Sequence, residues 1–287
     1  MKIEYNILSE VADTAKRLKH TGMKNIIKPI EIIDNKKDMW LITELGDCSL
    51  GKSLFHIKGA FVKGERIYEI IASNLYKSMI ITDIKILLRS MFNALDLLQA
   101  SGIVHADIKP ENILINTKDD HIVNAKLIDF GSAFYSNRPS TIRMSTPEYL
   151  GPEVLEYFNS TNFITERNNS SLLCSKISPW SYDMWSLGCV LLETLVGFPL
   201  WLSLKSLVQS NKGSLFTKGL FSCSGRDEKK IASQQRTVVR NLRVVLSTFS
   251  RISNDDCLDL LTKMLELNPR SRISPKEALK HPFLKEP

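Results

Sequence analysis

No apolar run in the 287 residues approaches the roughly 18 needed to cross a bilayer; the densest, Cys189–Val196, is broken by Glu193. The opening residues, MKIEYNILSE, lack the basic-then-apolar profile of a secretory signal. Cysteine is scattered: Cys48, Cys174, Cys189, Cys223 and Cys257 are odd in number and form no CxxC. That argues against a disulfide framework or a zinc site, and for reduced thiols in a cytosolic or nuclear compartment. The net charge of +7 is not gathered into any block of five or more basic residues, and no nucleic-acid module accompanies it. The positive charge therefore reads as solvated surface, and neither a membrane nor a nucleic-acid partner is expected. No internal repeat is present.

What remains is an ordinary globular composition, 43% hydrophobic and 24% charged, in a chain long enough for one large domain or two lobes. MKIEY reads as a short extended piece. NILSEVADTAKRLKH then places Leu8, Val11, Ala15 and Leu18 at helical spacing, with Asn6 as N-cap. IIKPIEIID and MWLITEL read as strands around the polar turn NKKD. From Ser49 onward the pattern is mostly helical, and the longest helix, Thr82–Ala100, runs into Ser101-Gly102, a good stop. Short apolar triplets follow at Ile113–Ile115 and Lys126–Ile128. Helices resume near Ser181, Asp255 and Pro275. The stretches Asn159–Ser175 and Val208–Arg236, rich in Ser, Asn and Lys, read as surface insertions. The class is α+β, a small mixed N-terminal part followed by a large helical one.

Between the long helix and the first triplet lies HADIKPENIL, residues 105–114. Its Asp107, Lys109 and Asn112 are an acid, a base and an amide within six positions. Taken alone, such a loop reads more readily as a turn. Its surroundings reverse that reading. Asp129 opens DFG 17 positions after Asn112, directly behind the triplet KLI; Glu153 follows 24 positions later in STPEYLGPE. DMWSLGCVLLE then starts an apolar helix at Asp183, and LNPRSRIS carries Arg272 near the end. This ordered set resembles the eukaryotic protein kinase family from about Lys2 to Leu284, and HADIKPEN resembles the dual-specificity and pre-mRNA-processing kinases within it.

The resemblance implies a two-lobed kinase fold over residues 1–284, with a partial N-lobe in 1–45 and a C-lobe in 46–284. It implies transfer of the ATP γ-phosphate to Ser or Thr hydroxyls of protein substrates, with magnesium. The chemistry suits the residues, because a loose, anionic transition state is stabilised mainly by positioning and charge neutralisation. Asp107 matches the carboxylate that accepts the hydroxyl proton, and Lys109 the cation that offsets the phosphoryl charge. Asn112 and Asp129 match the two oxygen ligands of the metal. His105 matches a structural peg. Asp183 matches the carboxylate that grips the catalytic-loop backbone, and Glu153 with Arg272 a buried pair bracing the activation segment. Thr146 stands where Ser/Thr kinases carry a threonine that contacts the catalytic Asp and Lys. Ala106 departs from the common Arg, so phosphates on Ser140, Thr141 or Ser145 have one partner fewer, and constitutive activity, or regulation by other means, is the better expectation.

The nucleotide side is thinner. WLITELGD resembles the last N-lobe strand and hinge: Thr43 would control pocket depth, Glu44 and Leu45 would face adenine, and Leu114 would form the floor. Lys2 resembles the strand lysine that holds the α- and β-phosphates, and Glu10 its helix partner. No Gly-rich loop precedes Lys2, and losing such a cradle weakens nucleotide grip. A kinase-fold scaffold that transfers nothing therefore stays beside the enzyme reading.

Overall fold

The computed structural model describes residues 2–35, 38–62, 65–137, 145–160, 178–200, 206–210, 213–217 and 228–285. Helix α1 (Lys2–Leu18) turns Ile7, Leu8, Val11 and Ala15 into the core. It begins four residues before the expected cap, so MKIEY is helix rather than strand, and Asn6 is an interior position. β-branched Ile3 and aromatic Tyr5 favour extension by type, but such propensity is weak beside a periodic apolar face that packs. The helix stops at Lys19 (φ 51°), where the His20 N–H reaches back to the Ala15 carbonyl at 2.9 Å.

Strands β1 (Pro29–Asp34) and β2 (Met39–Thr43) form the expected antiparallel hairpin. β3 (Cys48–Ser49) and α2 (Leu50–Leu54) follow. The next stretch is not helical: β4 (Phe55–Val62) and β5 (Glu65–Ala72) pair antiparallel from Phe55↔Ala72 to Val62↔Glu65. After α3 (Asn74–Ser78) comes α4 (Ile81–Ala100), whose buried Ile84, Leu87, Leu88, Met91, Leu95 and Leu98 form one continuous stripe. Gly102 (φ 67°) ends it as the sequence suggests.

β6 (Ile103–Val104) leads through HADIKPEN to β7 (Ile113–Lys118), which pairs with β3 on one edge and β8 (His121–Leu127) on the other. β9 (Phe134–Tyr135) returns to pair with β6. This arrangement sets residues 105–112 and 128–133 side by side, and the Ile128 N–H bonds the Asn112 carbonyl at 3.0 Å.

Helix α5 (Pro152–Ser160) precedes α6 (Pro179–Val196), the central post of the core, with Met184, Trp185, Leu187, Val190, Leu191 and Leu192 all inaccessible. A helix apolar on nearly every side has to be enclosed, and α4, α8 (Leu242–Phe249) and α9 (Asp255–Met264) enclose it. Before them, β10 (Ser206–Ser210) and β11 (Gly213–Thr217) extend the β4–β5 sheet in the order β11-β10-β5-β4, with β10 parallel to β5. α7 (Glu228–Arg240) buries Ile231, Ala232, Gln235 and Val238 against α5. Val208–Arg236 is therefore not simply a surface insertion: its two ends hold ordered elements, and its polar composition hid the buried stripe of α7. Most of the other expected insertion, from residue 161 on, lies outside the described residues, as do Ser140 and Thr141. α10 (Pro275–Ala278) starts under a Ser274–Glu277 capping box, and a 3-10 turn at Pro282–Leu284 follows it, with Phe283 and Leu284 buried.

Candidate active site

Asp107 is the focus of the loop between β6 and β7. Its Oδ2 accepts from Lys109 Nζ at 2.7 Å and from Asn112 Nδ2 at 3.0 Å. Its Oδ1 accepts from Thr146 Oγ1 at 3.2 Å, and Lys109 Nζ lies 3.2 Å from the same hydroxyl. Asn112 Nδ2 also bonds the Asp107 carbonyl at 2.8 Å. One carboxylate thus gathers a cation, an amide and a hydroxyl from two segments, and it is 9% exposed. Charge-assisted hydrogen bonds of this kind are about twice as strong as neutral ones, so the carboxylate is held in one orientation.

The loop beneath is fixed from the core. Asp183, in the first turns of α6, accepts the His105 N–H at 2.8 Å and the Ala106 N–H at 2.9 Å. Burial pushes the Asp183 carboxyl up to about 6, against the pull of those two N–H groups. His105 is fully buried; its Nε2 faces the Ile128 carbonyl at 3.0 Å, and its ring meets Phe130 edge-on at 4.8 Å. Desolvation lowers its pKa, so it stays neutral, with Nδ1 accepting the Asp107 N–H at 3.3 Å.

Asp129 adopts φ 63°, and its Oδ1 accepts the Gly131 N–H at 3.2 Å, while Phe130 packs into the core. Asn112 spends its amide hydrogens on Asp107, which leaves its carbonyl oxygen as the ligand it can offer a cation. An Asn oxygen and an Asp carboxylate on strand-linked loops fit a hard divalent ion that takes its remaining ligands from phosphate and water.

Farther out, Arg272 binds Glu153 through two bonds, at 2.8 and 3.2 Å. It also donates to the Glu266 carbonyl at 3.0 and 2.9 Å and stands 4.9 Å over the Trp185 ring. The motif residues gripping and bracing the site are therefore brought together. One group went unread. Tyr149 donates to the buried Glu193, the residue that interrupts the apolar run of α6, and Ser186 bonds the Tyr149 carbonyl at 2.7 Å. Burial pushes Glu193 up to about 8, with the Tyr149 hydroxyl pulling it back. A charge inside an otherwise apolar helix was the available signal.

The residues expected on the nucleotide side behave differently. Thr43 ends β2 with its hydroxyl on the Glu44 carbonyl at 3.2 Å. Glu44 accepts from the Lys28 N–H at 2.9 Å and Lys126 Nζ at 2.6 Å, tying the hinge stretch to β8. Leu45 is 99% exposed. Leu114 lies directly against Gly46, so that a Cβ at this position would have to displace its terminal methyl.

Lys2 requires a correction. It is an exposed residue on the first turn of α1, not part of a strand, so it is not the strand lysine. Glu10 is no partner for it either: its carboxylate accepts from the Tyr135 hydroxyl at 2.7 Å. The acid of α1 that reaches the DFG segment is Glu4, whose Oε1 accepts the Phe130 N–H at 3.1 Å. Glu4 lies three and four residues before Ile7 and Leu8, on the same helical face. Reading MKIEY as strand concealed it.

A carboxylate clasped by lysine, amide and threonine, with an Asp-Phe-Gly turn at its side, defines a centre of the phosphoryl-transfer class. The protein kinase domain family matches residues 2–284, and the chain belongs to that family. It is 28% identical to the serine/threonine-protein kinase ppk5 of Schizosaccharomyces pombe over 91% of this chain and 28% of that protein. It is 30% identical to the protein kinase gsk3 of the same yeast over 77% of this chain and 53% of its relative. A mitogen-activated protein kinase of Wallemia ichthyophaga, HOG1B, is 28% identical over 94% of this chain and 63% of its own length. The chain thus spans between about a quarter and two thirds of these relatives. Among the described residues, no helix is long and apolar enough to cross a membrane.

Proposed function

We propose that this chain is an ATP-dependent protein serine/threonine kinase domain extending over residues 1–284. The observation that carries the reading is the fourfold gathering at Asp107, Lys109, Asn112 and Thr146. Asp107 takes the proton of a substrate Ser or Thr hydroxyl as that oxygen bonds the γ-phosphorus and the bond to the β,γ-bridging oxygen breaks, releasing ADP. Lys109 offsets the charge on the moving phosphoryl group, and Thr146 keeps both side chains in register. Asn112 and Asp129 would hold magnesium, which neutralises phosphate charge when bound. Thr43, Glu44, Leu45 and Leu114 would border the adenine. His105, Asp183, Glu153 and Arg272 hold the frame. The acceptor is a protein segment bearing Ser or Thr. Free thiols at Cys48, Cys189 and Cys257 support a reducing compartment, cytoplasm or nucleus.

The test is transfer of labelled phosphate from ATP to a Ser/Thr peptide mixture. Asp107→Asn is expected to lower the rate by about 10²–10⁴ while leaving nucleotide affinity near that of the parent. Equal rates for parent and variant refute the assignment; no transfer by the parent leaves a scaffold.

A further inference from the structure

Ser145 and Thr146 are neighbours where the chain comes back over the catalytic loop, and both hydroxyls are spent on it. Thr146 bonds the side chains of Asp107 and Lys109. One residue earlier, Ser145 Oγ donates to the main-chain carbonyl of Ala106 at 2.8 Å. That carbonyl belongs to the peptide group joining Ala106 to Asp107. The other side of the same group, the Asp107 N–H, meets His105 Nδ1 at a long 3.3 Å. Ala106 is 2% exposed and held at φ 67°, a conformation disfavoured for a residue with a Cβ. Asp183 fixes the preceding peptide group through the Ala106 N–H, so the Ala106–Asp107 plane itself is held by the Ser145 bond to its carbonyl and by the long His105 contact to its N–H. Turning the plane would swing the Asp107 carboxylate away from Lys109 and Asn112.

We propose that Ser145 is a positioning residue: its hydroxyl fixes the Ala106–Asp107 peptide plane and thereby aims the Asp107 carboxylate. The lock is neutral, so it forms without any phosphate on the segment. This deepens the kinase reading and rests on it, whereas the loop geometry it invokes is measurable without activity.

The experiment compares the full chain with Ser145→Ala and Ser145→Thr in two assays, peptide phosphorylation and amide hydrogen exchange across residues 105–107. Ser145→Ala is expected to lower kcat about tenfold, equivalent to about 1.4 kcal/mol, with the KM for ATP within about twofold of the parent. Exchange at Ala106 and Asp107 should quicken in that variant. Ser145→Thr, which keeps the donor, should restore both. Unchanged exchange in Ser145→Ala overturns the proposal, as does quickened exchange with parental kcat, or a threonine variant no better than alanine. If the parent transfers no phosphate, the kinase reading fails and the exchange data alone decide whether the lock exists.

Discussion

The loop at 105–112 and the hairpin β1–β2 are built on opposite terms. In the loop, Asp107 alone binds three side chains, and the buried carboxylate of Asp183 reaches out of α6 to hold the backbone beneath it. On the hairpin, Ile33, Trp40 and Ile42 share one face of the paired strands and remain 42%, 61% and 37% exposed. Among the described residues, the half of the site proposed to handle the acceptor hydroxyl is held from the core, whereas the hairpin leading to the half proposed to border the nucleotide leaves an apolar face in solvent. Preorganised polar groups in a water-poor setting are the larger source of catalytic electrostatics. The phosphoryl-transfer chemistry should therefore be robust to changes in the hairpin and fragile to changes beneath the loop.

The largest effect is expected from Arg272→Ala. It strips Glu153 of both its bonds and removes the donors to the Glu266 carbonyl and the cover on Trp185. Removing one partner of a buried pair costs about 3–5 kcal/mol, to be read from urea unfolding. A loss under about 1 kcal/mol would show that the frame does not rest on this pair.

A smaller effect should come from pH. Glu193 is raised from 4.5 to about 8 in the folded chain, so folding binds its proton across that window. Its contribution is fully present below 4.5 and is lost as pH rises through about 8. Stability should fall by about 2–3 kcal/mol between roughly pH 6 and 8, at about 1.4 kcal/mol per unit. Glu193→Gln should flatten that slope in unfolding curves at several pH values; a slope equal to the parent's would place the titration elsewhere.

The smallest change is expected on the hairpin. Trp40→Ser should alter stability by no more than about 0.5 kcal/mol, since surface substitutions away from buried features rarely do more. A cost of 2 kcal/mol or more in the same unfolding assay, on the order of a core truncation, would mean that this face is not as loosely built as its exposure implies.

Which parts were legible follows the same division. The motif loops could be read because their chemistry restricts residue type at fixed spacing, and because α4 and α6 advertise themselves by long apolar stripes. The Lys2 and Glu10 assignment failed because five residues cannot distinguish strand from helix until Glu4, Ile7 and Leu8 are seen to share a packed face. The hairpin β4–β5 was missed because short mixed segments such as FHIKGAFV carry no clean period. The Ser145–Ala106 bond had no signature, since a serine hydroxyl meeting a main-chain carbonyl 39 positions away constrains no residue type there, whereas for the Tyr149–Glu193 pair only the charge on the apolar helix was visible and not its partner 44 positions earlier.

The most direct measurement is a thermal melt with and without magnesium-ATP for the parent and Asp129→Ala. A ligand at a hundredfold excess over its Kd adds about 2.7 kcal/mol of stability. The parent is expected to melt several degrees higher with the nucleotide. Asp129→Ala should lose that rise, measured against its own ligand-free melt, which is itself lowered somewhat because the bond to the Gly131 N–H is gone and φ 63° strains an alanine. Equal rises in the two proteins would contradict the placing of the metal–nucleotide complex at this turn.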